Sequence, residues 1–396
     1  MSAEPRGARR QLAVLSLALV LGMAPWFAAT VVSRPLSAEL GLSSVAERWL
    51  TLAVQLGFVL GSVLSAMLLL ADRMSARWLA AASALLAALA TGLVAWSPPS
   101  PPLVIGLRLV TGAALAGVYP PGIKIAAGWT RQRRGTAIGV LVGALTLGTA
   151  SPHLWRSLAS LDAWRPVLLG AAASALASAV LLATVTREGP YQAPSTPFDP
   201  RAVGLVARDR GVRLATAGYL GHMWELYAMW SSIGVFFAEV FRRRAWPAPL
   251  APLWSFAVIG AGAVGCVLAG LWADRIGKSR VTIVAMAVSG ACALAIGPAA
   301  RVSAGLTLAI GLVWGVSIVA DSAQFSACVT ELAPRDYVGT ALTLQTALGF
   351  LLTMLTIMLV PRWAAAWGWE WAYAPLAIGP ALGIVAMYRL WRTRRT

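Results

Sequence analysis

The feature that most limits this chain is a series of long apolar blocks cut by short polar punctuation. Each block runs about twenty residues or more, enough to cross ~30 Å of hydrocarbon as a helix. Inside the blocks polar residues do not alternate with apolar ones, which excludes the strands of a membrane barrel. Hydrophobic residues make up 59% of the chain and charged residues 12%, and the mean hydropathy is +0.73. A chain so poor in polar groups cannot cover itself with water-seeking surface, so lipid is the solvent for most of it. The fold class expected is an all-α polytopic membrane protein.

Twelve spans are predicted, over residues 11–32, 47–70, 78–96, 103–128, 136–155, 165–186, 214–240, 251–272, 281–299, 303–330, 340–361 and 371–390. Proline-rich turns at 97–102 and 246–249 support two of the breaks. The basic residues 1–10 precede a full-length first block, which reads as an uncleaved first span. Twelve spans put both termini on one side. The greater share of Lys and Arg falls in the tails and the loops of that same side, which makes it cytoplasmic. The run Arg242, Arg243 and Arg244 dissents, since this topology places it outside. The net charge of +17 is therefore a topology signal and not a nucleic-acid patch. A multi-pass protein of a cell inner membrane or plasma membrane is expected, and a monomer.

The polar stretch 187–213 divides the chain into near-equal halves, 1–186 and 214–396, and reads as a flexible cytoplasmic linker. The halves repeat. Ala71, Asp72 and Arg73 follow the second span, and Ala273, Asp274 and Arg275 follow the eighth. Gly135, Thr136 and Ala137 open the fifth span, and Gly339, Thr340 and Ala341 open the eleventh at nearly the same offset. Two triplets recurring in equivalent loops indicate a tandem duplication of six spans, one of the known transporter architectures.

A family resemblance rests on the same loops. Gly270, Asp274, Arg275, Gly277 and the basic Lys278 and Arg280 reproduce a pattern of Gly, three residues, Asp-Arg, one residue, Gly and basic residues. This resembles the loop signature of the major facilitator superfamily. The first-half copy keeps Asp72 and Arg73, but Leu68 and Ser75 stand where the signature has glycine. Arg108 and Gly112 are similar to that family's Arg-x-x-x-Gly element in the fourth span. The resemblance implies two pseudo-symmetric six-helix bundles and transport by alternating access. An acid and an arginine at a helix end can also pair with a neighbouring span and gate one face, and the more complete second copy is expected to carry more of that role. The alternative is a solvated turn that only sets topology.

Titratable side chains inside spans cost ~2.5–3.5 kcal/mol each on insertion scales, so each needs a partner or a task. In the seventh span Tyr219, His222, Glu225 and Met229 form a polar stripe at helical spacing. Ser317, Asp321, Gln324 and Cys328 form another in the tenth. Glu225 and Asp321 are the expected proton carriers, with His222, because a carboxyl group can shed its charge by taking a proton. A His222–Glu225 pair within one helix is the bland alternative. Arg108, which shares a helical face with Gly112 and Tyr119, is the expected anchor for an anionic or carboxylated solute. A structural ion pair is equally consistent with it. Trp26, Gln55, Tyr119, Tyr219, Gln324 and Gln345 complete the solute-binding candidates, while Lys124 reads as an interfacial anchor.

The expected function is secondary transport of a small solute coupled to protons. Efflux of amphipathic compounds and a membrane sensor or scaffold are the alternatives. No nucleophile elbow, zinc-protease motif or phosphate loop is present, and there are two histidines, so an enzyme is not expected. No cofactor and no metal are called for. The cysteines, Cys266, Cys292 and Cys328, lie in spans without metal-ligand spacing.

Overall fold

The computed structural model describes residues 5–96, 100–130, 134–159, 163–191 and 198–393. Among these residues there is no strand, and eleven helical runs are long and apolar enough to cross a membrane. In chain order the first six are Ala8–Val31, Ser44–Met67, Ala76–Trp96, Pro101–Trp129, Gly135–Leu158 and Trp164–Thr184. The other five are Leu250–Ile276, Lys278–Val302, Ala304–Leu332, Arg335–Trp367 and Ala374–Thr393. The helix Arg210–Arg243, 34 residues long, lies between the two sets and supplies the seventh span. Its His, Glu, Tyr and Trp residues make it more polar than the other spans, and it matches the span expected at 214–240.

Helix ends are marked by local chemistry. Ser43, Asp209 and Ser303 cap helices by accepting from the main-chain N–H of Ala46, Val212 and Leu306. Gly277 (φ 87°) stops the eighth span in a conformation that a side chain would strain. The outward faces carry Leu60, Leu64, Leu89, Leu93, Val264 and Leu382 in exposed positions. Such faces suit a lipid solvent and no other.

The chain separates into two units, Met1–Ser195 and Thr196–Thr396. In the first, Ala28, Val32, Leu36, Leu50, Val94, Val104, Trp164 and Leu168 form a buried cluster that draws on five spans. The second and fourth spans cross where Gly112 meets the main chain of Val54, and a Cβ there would fall 2.1 Å from the Val54 oxygen. In the second unit the eighth and tenth spans cross in the same way at Gly315, where a Cβ would fall 1.8 Å from the Val258 oxygen. The fourth and tenth spans also break at matching places, after Ala116 and after Ile318. The duplication thus extends from loop triplets to helix crossings and helix breaks.

Two expectations change. The stretch 187–213 is not slack over its described residues. Arg187 N–H donates to Gln11 Oε1 (2.9 Å), Trp129 Nε1 donates to the Arg187 oxygen (2.7 Å), and Glu188 Oε1 accepts from Ser75 Oγ (2.7 Å). Further on, Asp199 N–H donates to Thr340 Oγ1 (2.9 Å) and the chain is helical over Val203–Arg208. Polar composition marked a connection, but composition does not register partners supplied by other spans. The twelfth span also begins late. Residues 368–377 form turns and a short 3-10 helix that buries Tyr373, and regular α-helix starts at Ile378.

Candidate functional site

The second unit gathers its buried acids around the seventh span. Glu225 is 1% exposed and His222 2%. They do not pair with each other, although three residues apart on one helix. His222 Nδ1 contacts Asp321 Oδ1 at 2.9 Å. The approach is close without being an aligned hydrogen bond. Glu225 Oε1 accepts from Trp314 Nε1 (2.6 Å) and its Oε2 accepts from Ser289 Oγ (2.9 Å). Asp321 lies close enough to Glu225 for the two acids to act on each other electrostatically.

The broken tenth span is what makes this arrangement possible. Its helix stops at Ile318 and restarts at Ser322, with Asp321 at the restart. The stripe of Ser317, Asp321, Gln324 and Cys328 presupposed a continuous helix, and the break resets its phase. Trp314 sits on the first piece and reaches Glu225, while Asp321 at the junction reaches His222. Phe325 on the second piece contacts the His222 ring at 5.6 Å and the Tyr219 ring at 6.0 Å. Tyr373 from the 368–377 segment meets Trp314 edge-on at 5.1 Å and shares a hydrogen bond with Ser232 (3.0 Å). Gln324 is buried, and Gln345 is buried with no hydrogen-bond partner for either amide atom. Trp314, Ser289, Tyr373 and Phe325 escaped the sequence reading. A lone Trp or Ser in an apolar run carries no signal of what it will face.

In the first unit Arg108 is fully buried and makes no contact with an acid among the described residues. Its Nε donates to the Leu50 oxygen (3.2 Å), Nη1 to the Pro25 oxygen (3.0 Å) and Nη2 to the Trp26 oxygen (2.6 Å). These carbonyls belong to the second span and to the restart of the first, whose helix breaks between Met23 and Pro25. Gly112, one turn on, packs against the second span too. Tyr119 lies past the break at Gly117 and Val118 and is half-buried, so the shared helical face with Arg108 does not carry across. Trp26 packs on Phe58 at 4.9 Å, and buried Gln55, one turn before Phe58, has no partner for its amide.

The loop copies differ in what they hold. Asp72 pairs with Lys124, which also donates to the Ala71 oxygen (2.7 Å). Lys124 thus ties the fourth span to the loop after the second. In the second unit the tie is Lys278 to Glu331, with the charges on loop and span reversed. Asp274, Arg275 and Gly277 are exposed, Gly270 is buried, and the Arg280 guanidinium lies 5.3 Å from the Trp391 ring. Arg73 is exposed.

A model of the Major Facilitator Superfamily matches residues 14–357. The chain belongs to the major facilitator superfamily. Among solved structures, this superfamily member is similar to the proton:xylose symporter XylE with bound 6-bromo-6-deoxy-D-glucose. That likeness has a TM-score of 0.73 and 16% identity, and covers 97% of this chain and 95% of that one. Identity at this level supports the shared fold and says nothing of the solute. No curated protein matches significantly. As a superfamily member the protein is a multi-pass membrane transporter for small molecules, not an enzyme.

Proposed function

We propose that this transporter works by alternating access and is driven by protons that load and unload on His222, Asp321 and Glu225. The observation that carries this is the 2.9 Å His222–Asp321 contact between the seventh and tenth spans, buried in the same unit as a second acid, Glu225. With Nδ1 turned to Asp321, His222 keeps Nε2 open as a proton acceptor. A proton arriving there gives an imidazolium beside a carboxylate, a neutral pair. Its departure leaves Asp321 to be neutralised or to pull away, and this is the change in differential stability that alternating access needs. That the superfold relative XylE is named a proton symporter is consistent with this coupling.

Both termini in the cytoplasm of an inner or plasma membrane agrees with the basic-residue bias. Of the dissenting arginines, Arg242 and Arg243 pair with Glu239 (2.8 and 2.7 Å) and Arg243 with Glu370 (2.7 Å), while Arg244 donates to the main-chain oxygens of Ala300 and Arg301. Three charges do not overturn the wider Lys and Arg count. The division into two six-span bundles joined through 187–213 belongs to the same proposal, as does the monomer. The anionic solute rested on Arg108, each of whose three guanidinium nitrogens donates to a main-chain carbonyl, and Lys124 is engaged by Asp72. Efflux of cationic compounds would need a free acid, and Glu225 is held by Trp314 and Ser289.

Proteoliposomes test the coupling. Moving one charge through 100 mV is worth ~2.3 kcal/mol, so a carrier that loses its proton site loses accumulation before exchange. Asp321→Asn and Glu225→Gln should abolish uptake driven by a pH gradient while solute–solute exchange persists. If both variants still concentrate solute, protons do not travel on these residues.

A further inference from the structure

The eleventh span, Arg335–Trp367, holds several buried polar side chains, and most are satisfied close by. Thr340 Oγ1 accepts from Asp199 N–H, Thr353 Oγ1 donates to the Phe350 oxygen (2.7 Å), and Thr356 Oγ1 donates to the Thr353 oxygen (3.1 Å). Gln345 is the exception. It is 1% exposed, and neither Oε1 nor Nε2 has a hydrogen-bond partner among the described residues. Exchanging the two amide atoms does not help, since both ends are unmet. A buried hydroxyl can turn back to the carbonyl one helical turn away, but an amide at the end of a long side chain carries two donors and two lone pairs that ask for an outside partner. A protein that keeps such a group dry and unpaired bears its full desolvation cost.

Its surroundings say what the partner could be. Gly349, one turn further along the same helical face, lies against the seventh span, where an added Cβ would fall 2.3 Å from Tyr219 Cε1 and 3.0 Å from Met223 Cγ. Gln345 therefore sits on the face turned toward Tyr219. Tyr219 and Phe325 both pack on the His222 ring, whose Nε2 is likewise buried without a hydrogen bond. Two unpartnered polar groups thus lie on facing spans beside two aromatic rings. The charges in this neighbourhood already answer one another: His222 with Asp321, and Glu225 with Trp314 and Ser289. An anionic solute would meet two acids there, and His222 is already set against Asp321. A cation would compete with His222 for Asp321.

We propose that the Gln345 amide is a solute-binding group, and that the solute is a small uncharged molecule bearing hydrogen-bond donors and acceptors beside a face able to pack on Tyr219 and Phe325. This rests on the transport reading and replaces its charged solute with a neutral one.

Thermal unfolding of the purified full-length protein tests it, with three matched pairs as probes: nicotinamide and nicotinate, benzamide and benzoate, D-glucose and D-gluconate. Gln345→Leu removes the unpaired amide, so without ligand it should melt a few degrees above the wild type, and Gln345→Met should do the same. A neutral probe should raise the wild-type midpoint more than its acid does, and Gln345→Leu should lose that rise. If both variants melt at or below the wild type, the amide has a structural partner and the proposal is overturned, whether or not any probe binds. A larger shift from an acid than from its neutral twin overturns it as well. If no probe shifts the midpoint, the ligand-free comparison decides alone, a rise supporting the assignment. Gradient-driven accumulation of an anion by the Gln345→Leu protein would overturn this assignment and leave proton-driven transport standing. Wild-type proteoliposomes indifferent to the pH gradient would remove the coupling and leave the Gln345 result untouched.

Discussion

Replacing Arg108 by Met separates a structural clasp from a solute anchor. The guanidinium makes three hydrogen bonds, at 3.2, 3.0 and 2.6 Å, to the carbonyls of Leu50, Pro25 and Trp26. Hydrogen bonds from a charged donor contribute ~1.5–3 kcal/mol each, so the three together supply roughly 5–9 kcal/mol. Against this, a fully buried charge carries an effective desolvation penalty of several kcal/mol, which Met does not. Methionine fills much of the same space, so little cavity is added. The carbonyls left behind keep their helical hydrogen bonds and lose only a second partner. A net destabilisation of about 3–5 kcal/mol follows, in the range seen when a buried charged contact is broken. For a unit of this size that corresponds to a midpoint lower by on the order of 10 °C. Tryptophan fluorescence during heating of the detergent-solubilised protein reads it directly, since Trp26 lies beside the lost contacts. A solute anchor behaves in the opposite way: it is costly to keep buried in the empty protein, and its removal raises the midpoint. A variant that melts at or above the wild type, yet no longer binds solute, would refute the clasp.

Asp72→Asn should slow transport more than Asp274→Asn at matched membrane expression. The sequence signature favours the reverse, but Asp72 holds Lys124 while Asp274 makes no ion pair or hydrogen bond among the described residues; equal effects would sever gating from the Lys124 pair. Glu39 lies outside the spans, where hydrogen bonds from Arg165 and then from Trp164 hold its carboxyl below the ordinary 4.5. A depressed folded value adds stability above the unfolded one, and that stability drains away as pH falls through the folded value. The midpoint gap between wild type and Glu39→Gln should therefore be open at neutral pH and close below about pH 4; a gap that widens in acid would contradict the assignment. Cysteines placed in the 187–213 stretch should react with a membrane-impermeant maleimide only after the cells are opened, and labelling of intact cells would reverse the topology.

The number and length of the spans, the duplication and the identity of the buried acids were all open to reading from the chain. Each depends on local sums: enough consecutive apolar residues to cross a bilayer, a triplet repeated in equivalent loops, a charge too costly to leave in lipid. Partnerships were not open in this way. Helical periodicity tells which residues share a face, but not which neighbour that face meets, and a break in the helix erases even the shared face. Arg108 and Tyr119 lost their common side at Gly117 and Val118. Ser317 and Asp321 lost theirs between Ile318 and Ser322. Glu225 was free, by spacing, to pair with His222 one turn away; packing of the ninth and tenth spans handed it Ser289 and Trp314 instead, and gave His222 to Asp321. A proton site is made of side chains from different spans, so only the tertiary structure decides its members: hydrogen-bond distances of about 3 Å are set by how helices cross, and crossing is a property of no single segment.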